Sequence, residues 1–392
     1  MQIKEKKYYN KFLKKTFSKF DKFDITKPLI IFGAGTVGRY LLKSLKINNI
    51  KVSHFVDNDP KILNNKIDGI EIISYKKLKN NFFDQQIIIA SVIFEKEIYI
   101  QMHKDGFKFI YPLSYLNYIY PDIFNFRKYN QLFNSIFQKE NRRYINKVYK
   151  LFSDKKSKQI FSKIINFRLN HYFFVNLQSI KSTKEQYFDT DLVKVNKKEI
   201  FIDGGGYIGD TIKPFVKFTK GQFKKIFSFE PDRRNFNKLK VIVRNLNNKR
   251  IHIYPYGLYS KNGFVEFYEQ GDPESGIVKN NEFSPLSGII IPHQENKKIK
   301  KTKLPVVRID DFFKKKDIPS FIKMDIEGAE LDALKGAKDT IKKFRPKLAI
   351  CVYHNPSDLW EIPLLIKKLN IKYKLYLRHY SRELCETVCY AI

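Results

Sequence analysis

Three ionisable side chains follow two apolar segments in the C-terminal half of the chain. Asp325 and Glu327 come after residues 321–324 (FIKM), and His354 comes after residues 347–353 (KLAICVY). We predict that both segments are buried β-strands, and ligands in open α/β sheets bind where such strands end. Carboxylates are costly at this place unless they bind something. The three side chains are therefore candidate catalytic residues, each able to act as a general base.

A divalent cation is a second interpretation of the same residues. Carboxylate and imidazole groups can bind Mg²⁺ or Mn²⁺, so Asp325 and His354 could hold such an ion as a Lewis acid. The next acidic residue, Glu330, stands where a helix is predicted to begin. A negative charge stabilises a helix N-terminus, so we expect a structural role for Glu330.

A glycine-rich segment lies upstream of these residues. Residues 199–211 (EIFIDGGGYIGDT) have the order of a strand, a glycine turn and a helix, and Gly204, Gly206 and Gly209 satisfy the pattern G-x-G-x-x-G. The pattern suits NAD, FAD or S-adenosylmethionine equally. Glu230 lies 21 residues after Gly209, at the end of the next predicted strand. A carboxylate there can accept hydrogen bonds from both ribose hydroxyls of any of these ligands.

A second glycine motif stands near the N-terminus. Gly33, Gly35 and Gly38 match the same pattern, and Asp57 ends the next predicted strand, 19 residues past Gly38. The combination is typical of a nucleotide-binding βαβ unit. The unit resembles the small Rossmann-like domains at the front of bacterial sugar acyltransferases, which implies a nucleotide or nucleotide-sugar ligand. A degenerate version that only supports the fold is the alternative.

The elements that position these motifs divide the chain into four parts. Residues 1–27 form a basic, amphipathic lead-in, which could lie on a membrane surface or dock on its neighbour. Residues 28–118 alternate strands and helices and predict a small parallel sheet. Residues 119–196 have helical apolar spacing and predict a helical connector. Strand–helix alternation resumes over residues 197–392, so we predict an α/β fold in both sheet-forming parts.

Composition limits the classes of partner and compartment. Lys and Arg total 74 against 40 Asp and Glu, a formal charge of +34, which favours anionic partners. The charges are spread along the chain rather than clustered, so we predict no specific nucleic-acid site. The sequence has no apolar run long enough for a transmembrane helix and no secretory signal. Its three cysteines are too few for a disulfide framework, and we expect a cytoplasmic protein.

The C-terminal motifs together resemble the FkbM methyltransferase family. The resemblance rests on residues 202–210 (IDGGGYIGD), 228–232 (SFEPD), 306–312 (VVRIDDF) and 322–330 (IKMDIEGAE), and it extends to the C-terminal end. It implies a Rossmann-like class I methyltransferase domain with a seven-stranded sheet whose last strand is antiparallel. The implied reaction is methyl transfer from S-adenosylmethionine to a hydroxyl, commonly on a sugar or glycan precursor of surface polysaccharide biosynthesis.

The motifs and their spacing also give candidate residues for the two ligands. The residues expected to bind S-adenosylmethionine are Asp203, Gly204, Gly206, Gly209, Glu230 and Gly257. Aromatic rings stack on sugar faces and arginine binds phosphates, so a polar and aromatic set near the C-terminus could line the acceptor pocket. This set comprises Trp360, Arg378, His379 and Tyr380.

Two other functions are consistent with parts of the sequence. The first is an NAD(P)-linked nucleotide-sugar oxidoreductase or epimerase that uses the N-terminal glycine motif. No Tyr-x-x-x-Lys pair stands near that motif, which argues against a dehydrogenase. The second is a binding protein that only senses S-adenosylmethionine or nucleic acid. Asp325 and Glu327 argue against it, because binding alone needs no carboxylate pair beside the acceptor.

Overall fold

The computed structural model describes residues 3–91, 94–121, 123–124, 127–170, 177–269, 276–277, 300–313 and 317–392. Six of the described strands make a first sheet: β1 (Leu29–Phe32), β2 (Val52–Val56), β3 (Lys66–Ile67), β4 (Ile70–Ile73), β5 (Gln86–Ile89) and β6 (Ile110–Pro112). Their order is β3-β4-β2-β1-β5-β6, and all neighbours are parallel except β3 and β4. The helices around this sheet are α1 (Lys6–Phe17), α2 (Thr36–Ile47), α3 (Tyr75–Asn81), α4 (Glu95–Lys104) and α5 (Leu113–Ile119).

The core of the first sheet follows from its apolar strands. All four residues of β1 (LIIF) are buried, as expected for a central parallel strand covered on both faces. Helix α1 joins this core, because Leu13 and Phe17 pack into the same buried cluster as Leu29 and Ile31. The lead-in segment therefore docks on its neighbouring sheet through one face.

Helices follow the first sheet, as the apolar spacing of the connector predicts. They are α6 (Arg127–Ile136), α7 (Lys139–Leu151) and α8 (Lys155–Leu169), and a short 3-10 helix spans Leu177–Ile180. Asp154 caps α8, since its carboxylate accepts a hydrogen bond of 2.7 Å from the backbone N–H of Ser157. Among the described residues, no helix is long and apolar enough to cross a membrane.

The remaining elements run from residue 200 to residue 391. The strands are β7 (Ile200–Gly204), β8 (Lys225–Phe229), β9 (Ile251–Tyr254), β10 (Gly257–Leu258), β11 (Gly263–Glu269), β12 (Gly276–Ile277), β13 (Lys300–Val307), β14 (Phe321–Met324), β15 (Lys347–Cys351), β16 (Leu375–His379) and β17 (Thr387–Ala391). The helices are α9 (Ile212–Phe218), α10 (Arg233–Leu246), α11 (Ile309–Phe312), α12 (Glu330–Gly336), α13 (Lys338–Phe344) and α14 (Asp358–Leu369).

Seven of these strands form the main sheet, in the order β16-β17-β15-β14-β7-β8-β9. Strand β17 runs antiparallel to both β15 and β16, whereas the other neighbouring pairs are parallel. The predicted α/β fold, with a seven-stranded sheet and an antiparallel last strand, is confirmed. Strands β7, β14 and β15 are central, so their C-terminal ends meet at one edge of the sheet.

A third sheet, of four strands, packs beside the main sheet. Its order is β10-β13-β11-β12, and β11 pairs antiparallel with β13 from Gly263↔Val306 to Glu269↔Lys300. The sequence predicts a hairpin element over residues 263–270, of which residue 270 lies outside the described part. Strand β11 does pair antiparallel, but its longer pairing is with β13, which is distant in sequence.

The outer edge of β16 is covered by the connector. The backbone N–H of Ser153 donates to Leu375 O at 2.8 Å, and that of Ser182 donates to His379 O at 2.7 Å. Short parallel bridges at Phe152 and Lys181 accompany these bonds. The end strand of the main sheet is thus hydrogen-bonded on both sides.

Candidate functional site

The glycine turn of the main sheet lies between β7 and α9. Gly204 ends β7, and Gly206 and Gly209 lie in the turn that follows. Gly205 has φ +78°, and a Cβ atom there would come within 1.8 Å of Asp325 O. This position therefore accepts only glycine, because the turn packs directly on the backbone that carries the predicted catalytic residues.

Glu230 leaves the end of β8 and lies against the same turn. Its Oε2 accepts a hydrogen bond of 2.8 Å from the backbone N–H of Tyr207, and its Oε1 accepts one of 2.9 Å from that of Asp232. Burial raises the pKa of this carboxyl group to about 7, although both backbone N–H groups oppose the increase. A carboxylate has about four acceptor positions, so each oxygen can accept a further bond from a ligand.

Gly257 lies next to the loop that carries Glu230. A Cβ atom at Gly257 would be 3.7 Å from Pro231 Cγ and 3.2 Å from Val306 Cγ1. The structure therefore brings the exit of β9 beside the Glu230 loop, which is also expected to bind S-adenosylmethionine. The binding role of Gly257 stays a prediction.

A buried lysine, Lys323, lies beneath the glycine turn. Its ammonium group donates to Gly204 O at 3.0 Å and to Gly205 O at 2.7 Å, and it lies 3.1 Å from Asp203 Oδ1. Burial alone would lower the pKa of Lys323, but the carboxylates of Asp203 and Asp325 raise it above its usual value. Asp203 is therefore charge-paired below the turn, and the lysine ties β14 to the turn.

Asp325 follows β14, and polar side chains contact both of its carboxylate oxygens. Tyr187 Oη donates to its Oδ2 at 2.7 Å, Tyr353 Oη donates to its Oδ1 at 3.0 Å, and His354 Nε2 lies 3.3 Å from Oδ1. Burial alone would raise the pKa of Asp325, but His354, Lys323 and the Tyr187 hydroxyl lower it below its usual value. The group is therefore an ionised carboxylate at neutral pH.

His354 lies among three carboxylates beyond the end of β15. Its Nε2 is 3.3 Å from Asp325 Oδ1 and 3.6 Å from Glu327 Oε2, and its Nδ1 is 2.9 Å from Glu330 Oε1. Burial alone would lower the pKa of His354, but Glu330, Glu327 and Asp325 together raise it to about 10. At neutral pH the imidazole is therefore protonated and cannot accept a further proton.

Glu327 is the most exposed of the predicted catalytic residues. Its side chain is 38% accessible, compared with 22% for Asp325 and 3% for His354. Its backbone has φ +54°, which is uncommon for a residue with a side chain and occurs often at functional sites. The structure therefore brings the three predicted residues together and leaves Glu327 facing outward.

The same cluster offers ligands for a divalent cation. Asp325, Glu330 and His354 each present one ligand atom, and these atoms lie within 4.8 Å of one another. Carboxylate oxygens and an imidazole nitrogen form a donor set that suits Mg²⁺, Mn²⁺ or Zn²⁺. A metal would bind only the neutral imidazole of His354. The same geometry fits equally well a protonated His354 that is shared among the carboxylates without a metal.

The four predicted acceptor residues lie in the interior. Trp360 and His379 are fully buried, and Arg378 and Tyr380 nearly so. Arg378 donates to Asp154 at 2.7 Å and to Ser157 at 3.0 Å, so it anchors the connector to β16. Burial lowers the pKa of His379 to about 4. These contacts give the set structural partners in the interior, and its acceptor role stays a prediction.

The N-terminal glycine motif repeats the arrangement around Glu230. Asp57 Oδ2 accepts a hydrogen bond of 2.8 Å from the backbone N–H of Ala34, and its Oδ1 accepts one of 3.0 Å from that of Asp59. A Cβ atom at Gly38 would come within 1.9 Å of Gly33 O, so this glycine is needed for packing. At Gly35 nothing lies within 4 Å of such an atom, so one side of the turn is open.

Comparison with known families agrees with the fold of the main sheet. Residues 203–378 match the family described as methyltransferase FkbM domain. This part of the chain is an FkbM-family methyltransferase domain. Residues 25–108 match the family described as C2185-like, N-terminal. A search of curated proteins finds no match.

One solved structure is similar in fold to both the FkbM domain and its N-terminal neighbour. The crystal structure of methyltransferase FkbM from Methylobacillus flagellatus KT aligns over 99% of this chain and 100% of that chain, with a TM-score of 0.71 and 21% identity. An rRNA methylase from Streptococcus thermophilus aligns over 50% of this chain and 87% of that chain, with a TM-score of 0.29 and 11% identity. The similarity of fold to the Methylobacillus flagellatus structure therefore includes the six-stranded N-terminal sheet as well as the main sheet.

Four residues of the FkbM domain site were not predicted from the sequence. They are Tyr187, Lys323, Glu330 and Tyr353, of which only Glu330 was considered, as a helix-end charge. Lys323 carries a signal that could have been used, since it interrupts the buried strand FIKM and so requires a buried partner. Tyr187 carries none, because its hydrogen bond to Asp325 joins positions 138 residues apart.

Proposed function

We propose that the FkbM domain transfers a methyl group from S-adenosylmethionine to a hydroxyl group of a sugar or glycan precursor in surface polysaccharide biosynthesis. The observation that supports this most directly is the contact between Gly205 and the backbone of Asp325. It joins the turn that would hold the donor to the carboxylates that would act on the acceptor. A donor and an acceptor bound there would lie side by side.

The donor is proposed to bind along the C-terminal ends of β7, β8 and β9. Glu230 would accept hydrogen bonds from the ribose hydroxyls with the lone pairs that Tyr207 and Asp232 leave open. Gly257 would contact the adenine. Asp203, Gly204, Gly206 and Gly209 would shape the turn around the methionine part, with Lys323 holding the turn from below.

Glu327 is the proposed general base. The acceptor oxygen attacks the methyl carbon, the bond between that carbon and sulfur breaks, and the hydroxyl proton passes to the Glu327 carboxylate. Asp325 is less suited, because Tyr187, Tyr353 and His354 already occupy its oxygens. His354 is disfavoured because its raised pKa keeps it protonated. Its positive charge would instead hold Asp325 and Glu330 in place.

A divalent cation held by Asp325 and His354, with Glu330 as a further ligand, is the alternative. Such an ion would lower the pKa of the acceptor hydroxyl and reduce the need for a protein base. Chelation separates the two mechanisms. Turnover that survives exhaustive treatment with EDTA supports Glu327, whereas loss of turnover restored by Mg²⁺ or Mn²⁺ supports the metal.

The N-terminal sheet is proposed to bind a nucleotide or a nucleotide-sugar beside Gly35. Two observations support this proposal: the open space at Gly35, and the Asp57 carboxylate, which accepts a hydrogen bond from the backbone N–H of Ala34 in the same turn. An NAD(P)-linked oxidoreductase or epimerase would use the same position, and titration with NAD(P)H compared with nucleotide-sugars separates the two. A cytoplasmic location is part of this proposal.

The proposed function is tested by incubating the full chain with radiolabelled S-adenosylmethionine and a panel of nucleotide-sugars and glycan precursors. We expect label to appear in a carbohydrate product as an alkali-stable methyl ether. Transfer to nucleic acid, or to a carboxylate as an alkali-labile ester, would contradict the proposed acceptor. Tight donor binding without any turnover across a broad panel would favour a sensor.

A further inference from the structure

The outward face of α1 carries aromatic rings among lysines. Tyr8 and Phe12 are 48% and 46% exposed, although the same helix buries Leu13 and Phe17. Positions three and four apart share one side of a helix, so Tyr8, Lys11, Phe12 and Lys15 lie together. Lys4 joins them, with its Nζ 3.7 Å from the centroid of the Tyr8 ring. We call these five residues the basic–aromatic face.

This segment carries a large net positive charge. Residues 3–20 contain seven lysines and one acidic residue, Glu5. Lys11 and Lys15 are exposed, as are Lys7 and Lys14 beside them. The buried contacts of Leu13 and Phe17 with the first sheet fix the direction in which the face points. A positively charged surface with exposed aromatic rings is therefore presented to the solvent.

We propose that the basic–aromatic face docks the protein on an anionic lipid bilayer. Lysine ammonium groups would lie at the phosphate level, and the rings of Tyr8 and Phe12 would enter the headgroup region. A nucleic acid is less well matched, because single strands bind in grooves and the outside of a docked helix is convex. The proposal does not depend on the reaction proposed for the FkbM domain.

The test is sedimentation of the full chain with phosphatidylcholine vesicles, with or without phosphatidylglycerol. We expect binding only to the anionic vesicles, with a loss as salt is raised. Lys11→Glu combined with Lys15→Glu should weaken binding more than about 20-fold, because each lysine near an anionic surface contributes roughly fivefold. The matched control is Lys342→Glu with Lys343→Glu, which changes the net charge equally on the exposed part of α13.

A second pair of variants tests the rings. Tyr8→Ser with Phe12→Ser should reduce vesicle binding about tenfold or more at low salt, because the inserted apolar area is lost. Phe264→Ser with Ile371→Ser is the control, since these side chains are 62% and 73% exposed elsewhere. Circular dichroism and the thermal midpoint report whether each variant is folded.

Three outcomes would overturn the proposal. If the helix variants and their controls lost vesicle binding equally, the binding would be a general attraction of the positively charged chain to anionic lipid. Binding to phosphatidylcholine alone would show that charge plays no part. Binding to RNA that depends on Tyr8 and Phe12, without vesicle binding, would assign the face to nucleic acid.

Discussion

At the scale of single residues, Glu327 differs from its neighbours in accessibility and backbone geometry. Glu327→Gln keeps the shape of the side chain but removes its ability to accept a proton. We expect the turnover number to fall about 10²–10⁴-fold while the affinity for S-adenosylmethionine stays near wild type. Steady-state kinetics and calorimetric titration measure the two quantities. The control is Glu140→Gln, an exposed carboxylate on the connector.

A wild-type rate for Glu327→Gln would remove Glu327 from the mechanism. Attention would then turn to the metal alternative, because the ligand atoms of Asp325, Glu330 and His354 lie within 4.8 Å of one another. The same preparation, assayed with EDTA and then with added Mg²⁺, would decide between them.

Glu230 predicts a pH dependence of donor binding. Burial raises its pKa to about 7, so the carboxyl group is partly protonated near neutral pH. Ribose hydroxyls donate to the ionised form, and affinity should therefore rise as pH increases from 6 to 8. Glu230→Ala should weaken binding by about 1.5–3 kcal/mol per lost hydrogen bond and abolish the pH dependence. Titration at several pH values measures both, and an unchanged affinity would contradict the assignment.

At the scale of elements, the two glycines at the start of α2 should respond differently to substitution. Gly38→Ala places a methyl group 1.9 Å from Gly33 O, so we expect a large fall in the thermal midpoint. Gly35→Val meets open space and should leave the midpoint nearly unchanged. If a nucleotide-sugar binds there, Gly35→Val should abolish its thermal shift, while methylation of a small acceptor survives. Equal shifts in wild type and Gly35→Val would argue against the site.

The elements that could be predicted from the sequence are those with continuous apolar runs. Strands such as β1, β5 and β14 are buried on both faces, so composition alone indicates them. Strands β3, β10 and β12 are two residues long and contain no such run. They form because a neighbouring strand offers free backbone groups, and this information is not local in the sequence.

At the scale of the whole molecule, three buried groups make stability depend on pH in one direction. The pKa of His354 is raised to about 10, so its stabilising charge is complete below about pH 6.5 and is lost as pH rises through 10. Burial raises the pKa values of Glu230 and Asp358 to about 7, so the stability that their protonated forms contribute is lost as pH rises from their ordinary pKa range to about 7. We expect the free energy of unfolding to fall steadily from pH 6 to pH 10.

Chemical denaturation at several pH values measures this slope. His354→Gln should reduce it, whereas the exposed His103→Gln should leave it unchanged. A stability that rises over this range would contradict the charge states assigned to the cluster.

Contacts between distant parts of the chain limited what the sequence could predict about the site. Asp325, Glu327 and His354 could be located because they follow predicted buried strands, and the structure brings them together. Arg378 was predicted to face an acceptor because arginine commonly binds phosphates. It instead pairs with Asp154, which is 224 residues away in sequence. No local sequence pattern predicts such a pairing.

The hydrogen bonds from the connector to the outer edge of β16 determine which fragments of the protein can be produced. A chain shortened to begin at Lys197 would lack Ser153 and Ser182, and the outer edge of β16 would present unpaired backbone groups. Bare strand edges pair with other copies and lead to aggregation. We expect this fragment to scatter light and precipitate, whereas a fragment that begins at Lys139 stays monodisperse. The smallest soluble piece would then start well upstream of the segment that identifies the enzyme.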